Sequence, residues 1–111
     1  MAQFDIYPNP GQGKIDVPFL VVIQNNHVAT HTGTSIVIPL RTNSISLETI
    51  CPPVEVPGAG QFVLSLIEIF AIANIRLRNR VGTLSFADRG KIKPAIDKVI
   101  GHASVNGISL E

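Results

Sequence analysis

Hydrophobic and polar positions alternate with a short period over most of the chain and with a helical one at its end. Phe4 and Ile6 alternate with polar neighbours as far as Pro8, Asn9, Pro10 and Gly11. Proline removes backbone donors there and glycine permits a turn, so a first strand stops at that point. The run VPFLVVIQ over 17–24 is nearly continuous β-branched and aromatic material, which predicts a strand buried on both faces or lying across a barrel. Asn25, Asn26 and His27 break it. SIVIPL over 35–40 is another short strand, with Pro39 marking an edge, a bulge or the strand's end. The PPVEV segment over 52–56 is a weaker candidate, followed by the turn signal Pro57, Gly58, Ala59, Gly60. The pattern then resumes over 61–69 as the longest predicted strand.

From Ser85 onward Ile92, Ile96, Val99, Ile100 and Ala103 fall on one helical face. This predicts an amphipathic helix over 88–100 that packs Ile92, Ile96 and Val99 toward the protein. Ser85 with Asp88 three residues later is an N-terminal cap pair. A proline in a helix interior costs roughly 3 kcal/mol, so the helix begins irregularly, kinks, or places Pro94 in its first turn. Gly101 is a natural stop, and residues 104–111 form a loosely held tail with an Asn106-Gly107 turn, leaving 1–103 as the folded domain. The expected fold is mainly β, an antiparallel sheet with a C-terminal α-helix.

Composition sharpens this picture. With 111 residues the chain makes one domain. Apolar residues reach 45% against 15% charged, and mean hydropathy is +0.32. That argues against disorder and exceeds what so small a domain can bury alone, so an interface is expected. The formal charge of +1 implies neither a polybasic arm nor an acidic tail. It is unevenly spread, acidic up to Ile75 and basic from Arg76 onward. Cys51 is alone, MAQFDIYPNP carries no signal-like run, and Glu68 and Arg76 interrupt the greasiest segment. A cytoplasmic protein without a membrane span is the expectation.

Candidate chemistry is sparse. Gly11, Gly13 and Lys14 fail the phosphate-loop signature, since Pro8 and Ile15 stand where it needs glycine and a hydroxyl, and a plain turn explains them. His27 and His31 have zinc-protease spacing, but Val28 occupies the place of the required Glu, so an exposed turn is the better reading. Cys51, before two prolines, looks structural. Asp5, Glu48, Glu55 and Glu68 read as ordinary strand or loop charges. Arg76, Arg78 and Arg80 alternate as one strand face would, either to meet phosphates or an acidic peptide or, the better-supported reading, as a solvated edge that discourages aggregation. No metal, cofactor or catalytic group is expected.

The order of segments adds more. Gln3-Phe4-Asp5-Ile6-Tyr7, then Val22-Ile23-Gln24, Val37-Ile38-Pro39-Leu40, Pro52 with Val54 and Val56, the strand about Phe62, Leu84-Ser85 and Ala95-Ile96-Asp97 resemble successive landmarks of the CcdB family of bacterial toxins. The resemblance implies an SH3-like barrel ending in a helix, a homodimer, and the toxin role in a toxin–antitoxin module. It implies binding to the DNA gyrase A subunit, trapped in its cleaved complex with DNA, and neutralisation by the disordered C-terminal segment of an antitoxin. DNA is met only through gyrase or the antitoxin, the route by which such modules take part in transcription regulation.

In the family the target surface joins two apolar residues after the Val-x-Gln strand to a helix end reading Asn, aromatic, Trp, Gly, Ile. Here His27 and Val28 hold the first pair, Asp97 replaces the Asn and Ile100 the aromatic; without a gap Gly101 falls on the Trp, His102 on the Gly and Ala103 on the Ile, whereas deleting one position aligns Gly101 with the Gly, and neither register restores Trp-Gly-Ile. The resemblance thus places the target-binding surface on Val28, Asp97, Ile100, Gly101 and His102. Losing an aromatic anchor, worth roughly 2 kcal/mol or more in an interface, implies weakened poisoning. Two alternatives stand beside this. One is a ribonuclease toxin on the same barrel, with Arg41, Arg76, Arg78 or His27 serving phosphate binding or acid–base chemistry; the other is a toxin-derived binding module that no longer poisons gyrase.

Overall fold

The computed structural model describes residues 2–24, 30–42 and 51–100, the last two of these, Val99 and Ile100, in their backbone alone. Among the described residues seven strands, β1 (Asp5–Pro8), β2 (Phe19–Val22), β3 (Thr34–Arg41), β4 (Pro53–Val56), β5 (Gly60–Leu64), β6 (Phe70–Ala73) and β7 (Gly82–Thr83), build one sheet. Its order is β4-β5-β3-β2-β1-β7, with β6 also pairing β3. All these ladders are antiparallel. Two short helices follow, α1 (Phe86–Arg89) and α2 (Ile92–Ile100). This is the expected mainly β architecture, a nearly closed antiparallel barrel with a C-terminal helix. Among the described residues no helix is long and apolar enough to cross a membrane.

The nearly continuous apolar run in β2 is explained by burial on both sides. Val21 joins Ile6, Ile38, Leu40, Leu64 and Leu84 in the barrel interior. Leu20 and Val22 face the other way, among Tyr7, Val37, Ile72 and Leu77. The ladder Ile6↔Val21 and Tyr7↔Leu20 keeps each pair on a common face. Opposite ends of the sheet approach where Gly82 meets Pro57, and a Cβ at Gly82 would lie 2.9 Å from the Pro57 ring. Among the described residues no ladder joins β4 to β7.

Two strand expectations need correction. The predicted 61–69 strand is not continuous: a 3-10 turn over Leu66–Glu68 separates β5 from β6, and among the described residues the eight-residue β3 is the longest strand. Strict alternation would have carried Glu68 to the same side as the buried Leu64 and Leu66. The turn keeps Leu66 inside while swinging Glu68 out to Arg41, 27 positions away. Nor do Arg76, Arg78 and Arg80 form a strand face. Asn74–Arg76 is a second 3-10 turn, and Asn79 follows with φ 61°. Arg78 donates to the Ile75 carbonyl at 3.2 Å, while Arg80 stands 3.5 Å from Asp5. Asp5, a strand charge on β1, is buried, and its carboxylate accepts from the Ala2 backbone N–H at 2.9 Å.

The helical end divides at Gly90. Ser85 caps α1 as expected, its hydroxyl accepting from the Asp88 N–H at 3.2 Å. Pro94 is the third residue of α2, inside the first turn, where its missing N–H leaves no intrahelical bond unmade. Ile92 and Ala95 enter the barrel interior beside Leu66 and Leu84, and Ile96 packs against them. The expected contact of Val99 lies outside the described side chains. A polar clamp fixes the helix entry: the Glu55 N–H donates to Asp88 Oδ2 at 2.9 Å, and Lys91 Nζ bonds both Asp88 Oδ1 at 2.9 Å and the Pro53 carbonyl at 2.7 Å. Burial pushes the Asp88 carboxyl up, but hydrogen bonds from Glu55, Lys91 and Ser85 outweigh it and hold the group below its ordinary value.

Candidate functional site

The helix end carries what the structure describes of the expected target surface. Asp97 lies half-buried on α2, and Ile100 is the last helical residue, three positions on and along the same edge. Val28, Gly101 and His102 lie outside the described residues, as do His27, Ala103 and the 104–111 tail. Their grouping with Asp97 and Ile100 is therefore not among the described geometry.

The described residues do enclose a cleft that sequence reasoning missed. It spans about 460 Å³ and lies against the sheet face opposite α2, since its floor includes Leu20 and Ile72 of the second apolar cluster. Val17, Pro39 and the half-exposed Phe70 complete an apolar base. One wall is the turn after β1. Its Asn9 side chain donates to the Val17 carbonyl at 2.8 Å and accepts from the Gly11 N–H at 3.0 Å, while Gly13 adopts φ 79°, a conformation suited to glycine. Gly11, Gly13 and Lys14 thus make the plain turn that the sequence predicted. The Arg76 guanidinium lies beside this turn, its Nη2 at ordinary contact distance, 3.7 Å, from where a Cβ at Gly11 would stand.

Charges rim the opening. Arg41 grips Glu68 through two parallel hydrogen bonds, Nε to Oε1 and Nη2 to Oε2, the latter 2.6 Å, and Ser65 Oγ donates to Oε1 at 2.7 Å. The Arg41 bond, aided by Ser65, holds the Glu68 carboxyl down to about 2. The same hydrogen bond raises the Arg41 guanidinium above its ordinary value. Glu68 is therefore a fixed anion at neutral pH and a poor proton acceptor. Arg76 forms no hydrogen bond or ion pair among the described residues. The remaining candidates sit elsewhere: His31 is exposed in helical residues 30–32, and Cys51 is buried and outside any disulfide. Among the described residues no group of His, Cys, Asp and Glu could hold a metal ion.

The family model described as "CcdB protein" matches residues 3–101. No curated protein sequence matches the chain. Among solved structures, an endoribonuclease in complex with its cognate antitoxin from a mycobacterial species is similar with a TM-score of 0.73 at 18% identity, covering 91% of this chain and 95% of that one. An endoribonuclease from a mycobacterial species gives a TM-score of 0.67, again at 18% identity, covering 91% of each chain. At that identity the likeness establishes the fold.

Proposed function

The chain belongs to the CcdB family of toxins from toxin–antitoxin systems, and from that premise we propose that it acts without catalysis, by binding the DNA gyrase A subunit in its cleaved complex with DNA. The observation that carries this reading is the family match itself, which extends through 101 and so spans the whole of α2. Ile100 supplies the apolar contact at the helix end, Asp97 a polar one, and Val28, Gly101 and His102 complete the surface. With no indole at this tip, and at about 25 cal/mol per Å² of apolar surface, several kcal/mol of potential contact are missing, so poisoning is weak. The toxin domain is 1–103, acting in the cytoplasm and silenced by the disordered segment of an antitoxin. Ile36, Ile67, Ile69 and Phe70 are exposed large apolar side chains around β3 and β6, the surface that a homodimer would cover.

The test incubates purified chain with gyrase and supercoiled DNA and scores linearised product. Wild type gives weak but reproducible cleavage, and Ile100→Ala abolishes it. Strong cleavage indifferent to that substitution would put the active surface elsewhere. A ribonuclease reading is favoured by the endoribonuclease folds of the two solved neighbours and by the arginines of the cleft. RNA cleavage by the purified chain, lost in Arg41→Ala or Arg76→Ala, would replace the gyrase reading. Absence of both activities favours the module that retains antitoxin binding alone.

A further inference from the structure

The nearly closed barrel has a seam. β4 and β7 end the strand order, and among the described residues no ladder joins them. Hydrogen bonds of the four-residue α1 reach both sides of the gap. Asp88 accepts the β4 N–H of Glu55 at 2.9 Å. Arg89, the next residue, turns to the other side: its Nε donates to the Leu84 carbonyl at 3.0 Å and its Nη2 to Thr83 Oγ1 at 3.3 Å, with the guanidinium 5.2 Å from the centre of the Phe4 ring. We propose that α1 and the Lys91 that follows it form a latch across this seam, and that release of the latch bares the outer edge of β4 for pairing with β4 of a second copy of this chain.

The latch is held by polar contacts, which is what lets it lift. Phe86 is 89% exposed, Ala87 is exposed, and Asp88 is the one buried residue of α1. α2 is anchored differently, since Ile92 and Ala95 sink into the barrel interior. A segment with so little apolar burial opens at lower free energy than the core on which it lies, so 85–91 can leave the seam while α2 stays seated.

What the latch covers is complementary to itself. In the β4–β5 ladder the Leu64 N–H donates to the Pro52 carbonyl at 3.0 Å, which makes Pro53↔Val63 a non-hydrogen-bonded pair and turns the backbone groups of Pro53 and Glu55 outward. Asp88 takes the Glu55 N–H, and Lys91 Nζ takes the Pro53 carbonyl at 2.7 Å, so one donor and one acceptor of the edge are occupied by side chains. Two β4 strands set antiparallel, with Val54 opposite Val54, exchange these same groups, each Glu55 N–H donating to the Pro53 carbonyl of the other copy. In that register Glu55 stands across from a proline and not from a second Glu55, so no like charges lie directly opposite. The latch therefore does for this edge what charged side chains do for exposed edges generally, and its removal uncovers a template for pairing.

The experiment measures mass by light scattering in an Ile67→Asp background, so that the β3–β6 face does not contribute. Asp88→Ala, Arg89→Ala and Lys91→Ala together release the latch, and the mass doubles, with rising protein concentration, relative to the latched chain in the same background. Adding Glu55→Pro, which deletes the exchanged donor, returns the mass to that of the latched chain. Leu84→Ala, which weakens the interior and keeps the latch, leaves the mass unchanged. Native-state hydrogen exchange on the unaltered chain reads the latch without any variant and so decides the matter even if the triple variant fails to fold. The Glu55 amide, bonded to the latch, shows a protection factor at least about tenfold lower than the Leu64 amide, bonded within the sheet. Equal protection of the two amides, a released latch without doubling, doubling that survives Glu55→Pro, or doubling in Leu84→Ala each overturns the proposal.

Discussion

Replacing Asp88 by alanine tests the clamp that seats the helical end on the barrel. The carboxylate's side chain is 10% exposed and accepts from the Glu55 N–H and from Lys91. Hydrogen bonds to a charged group contribute about 1.5–3 kcal/mol each, and an orphaned buried N–H carries a penalty of similar size. Lys91 is 40% exposed, so solvent screens its share. Asp88→Ala therefore lowers unfolding free energy by about 2–3 kcal/mol, and Asp88→Asn, which keeps an acceptor for the Glu55 N–H, by about 1 kcal/mol. Urea titration followed by circular dichroism reads both as shifts of midpoint at constant m-value.

The pH dependence supplies a second arm. Because the folded carboxyl lies below its unfolded value of about 3.9, its stabilisation is complete above that pH and is lost as pH falls through the folded value. Wild type consequently loses stability on acidification that the Asn variant does not. An alanine variant within about 0.5 kcal/mol of wild type, or parallel acid profiles for wild type and Asn, would show that the clamp contributes nothing and that apolar packing alone seats α2.

Other consequences follow from equally local geometry. Gly82→Ala drives a methyl into the Pro57 ring, 2.9 Å away, and destabilises by about 1–3 kcal/mol; a Pro57→Gly background removes most of that loss in a double-mutant cycle. Leu84→Ala, at a fully buried interior position, costs about 2–5 kcal/mol in the same urea assay. Glu68→Gln flattens the stability profile between about pH 4.5 and about 2, since the wild-type carboxyl contributes fully above its unfolded value and loses that contribution as pH falls to the folded one. Ile67→Asp leaves the monomer's fold intact, because Ile67 is 67% exposed, yet shifts the mass by light scattering from twice 11.9 kDa to once that value.

What the sequence reveals here is what short-range chemistry determines. The Ser85 cap, the place of Pro94 and the two-sided burial of β2 all follow from neighbours within a few positions, so their patterns read correctly. The break between β5 and β6 does not, because nothing within 61–69 announces that Glu68 has a guanidinium waiting on β3. Arg76, Arg78 and Arg80 kept strand spacing without a strand, since the turn at Asn74–Arg76 and the left-handed Asn79 leave the spacing unchanged and remove its meaning. Asp88 read as a cap residue and proved also to be a tertiary acceptor for β4. Of the candidate surface, the family resemblance rather than local chemistry names Asp97 and Ile100, and both lie on α2. The cleft drew its walls from the β1–β2 turn, β3, β6 and the turn after β6, a convergence that only the barrel's path creates.

The double burial of the central strands removes a safeguard that most sheets enjoy. Where one face meets water, a one-residue slip exposes every apolar side chain and is punished at once. Between β1 and β2 a slip would exchange one greasy environment for the other for the apolar side chains, trading Ile6 and Val21 against Tyr7 and Leu20, and within β1 only Asp5, carried to the interior, would oppose it. Alignment must then be enforced from the ends. Gln3 reaches the Ile23 carbonyl at 2.8 Å at one end of the hairpin, and Asn9 ties its side chain to the Val17 carbonyl at 2.8 Å and its backbone to Pro18 at 2.9 Å at the other. Two amides thus act as stops on a zipper whose teeth would mesh in more than one position. Chains lacking Gln3 and Asn9 should reach the native state more slowly and through misaligned hairpins, even where the final stability is little changed.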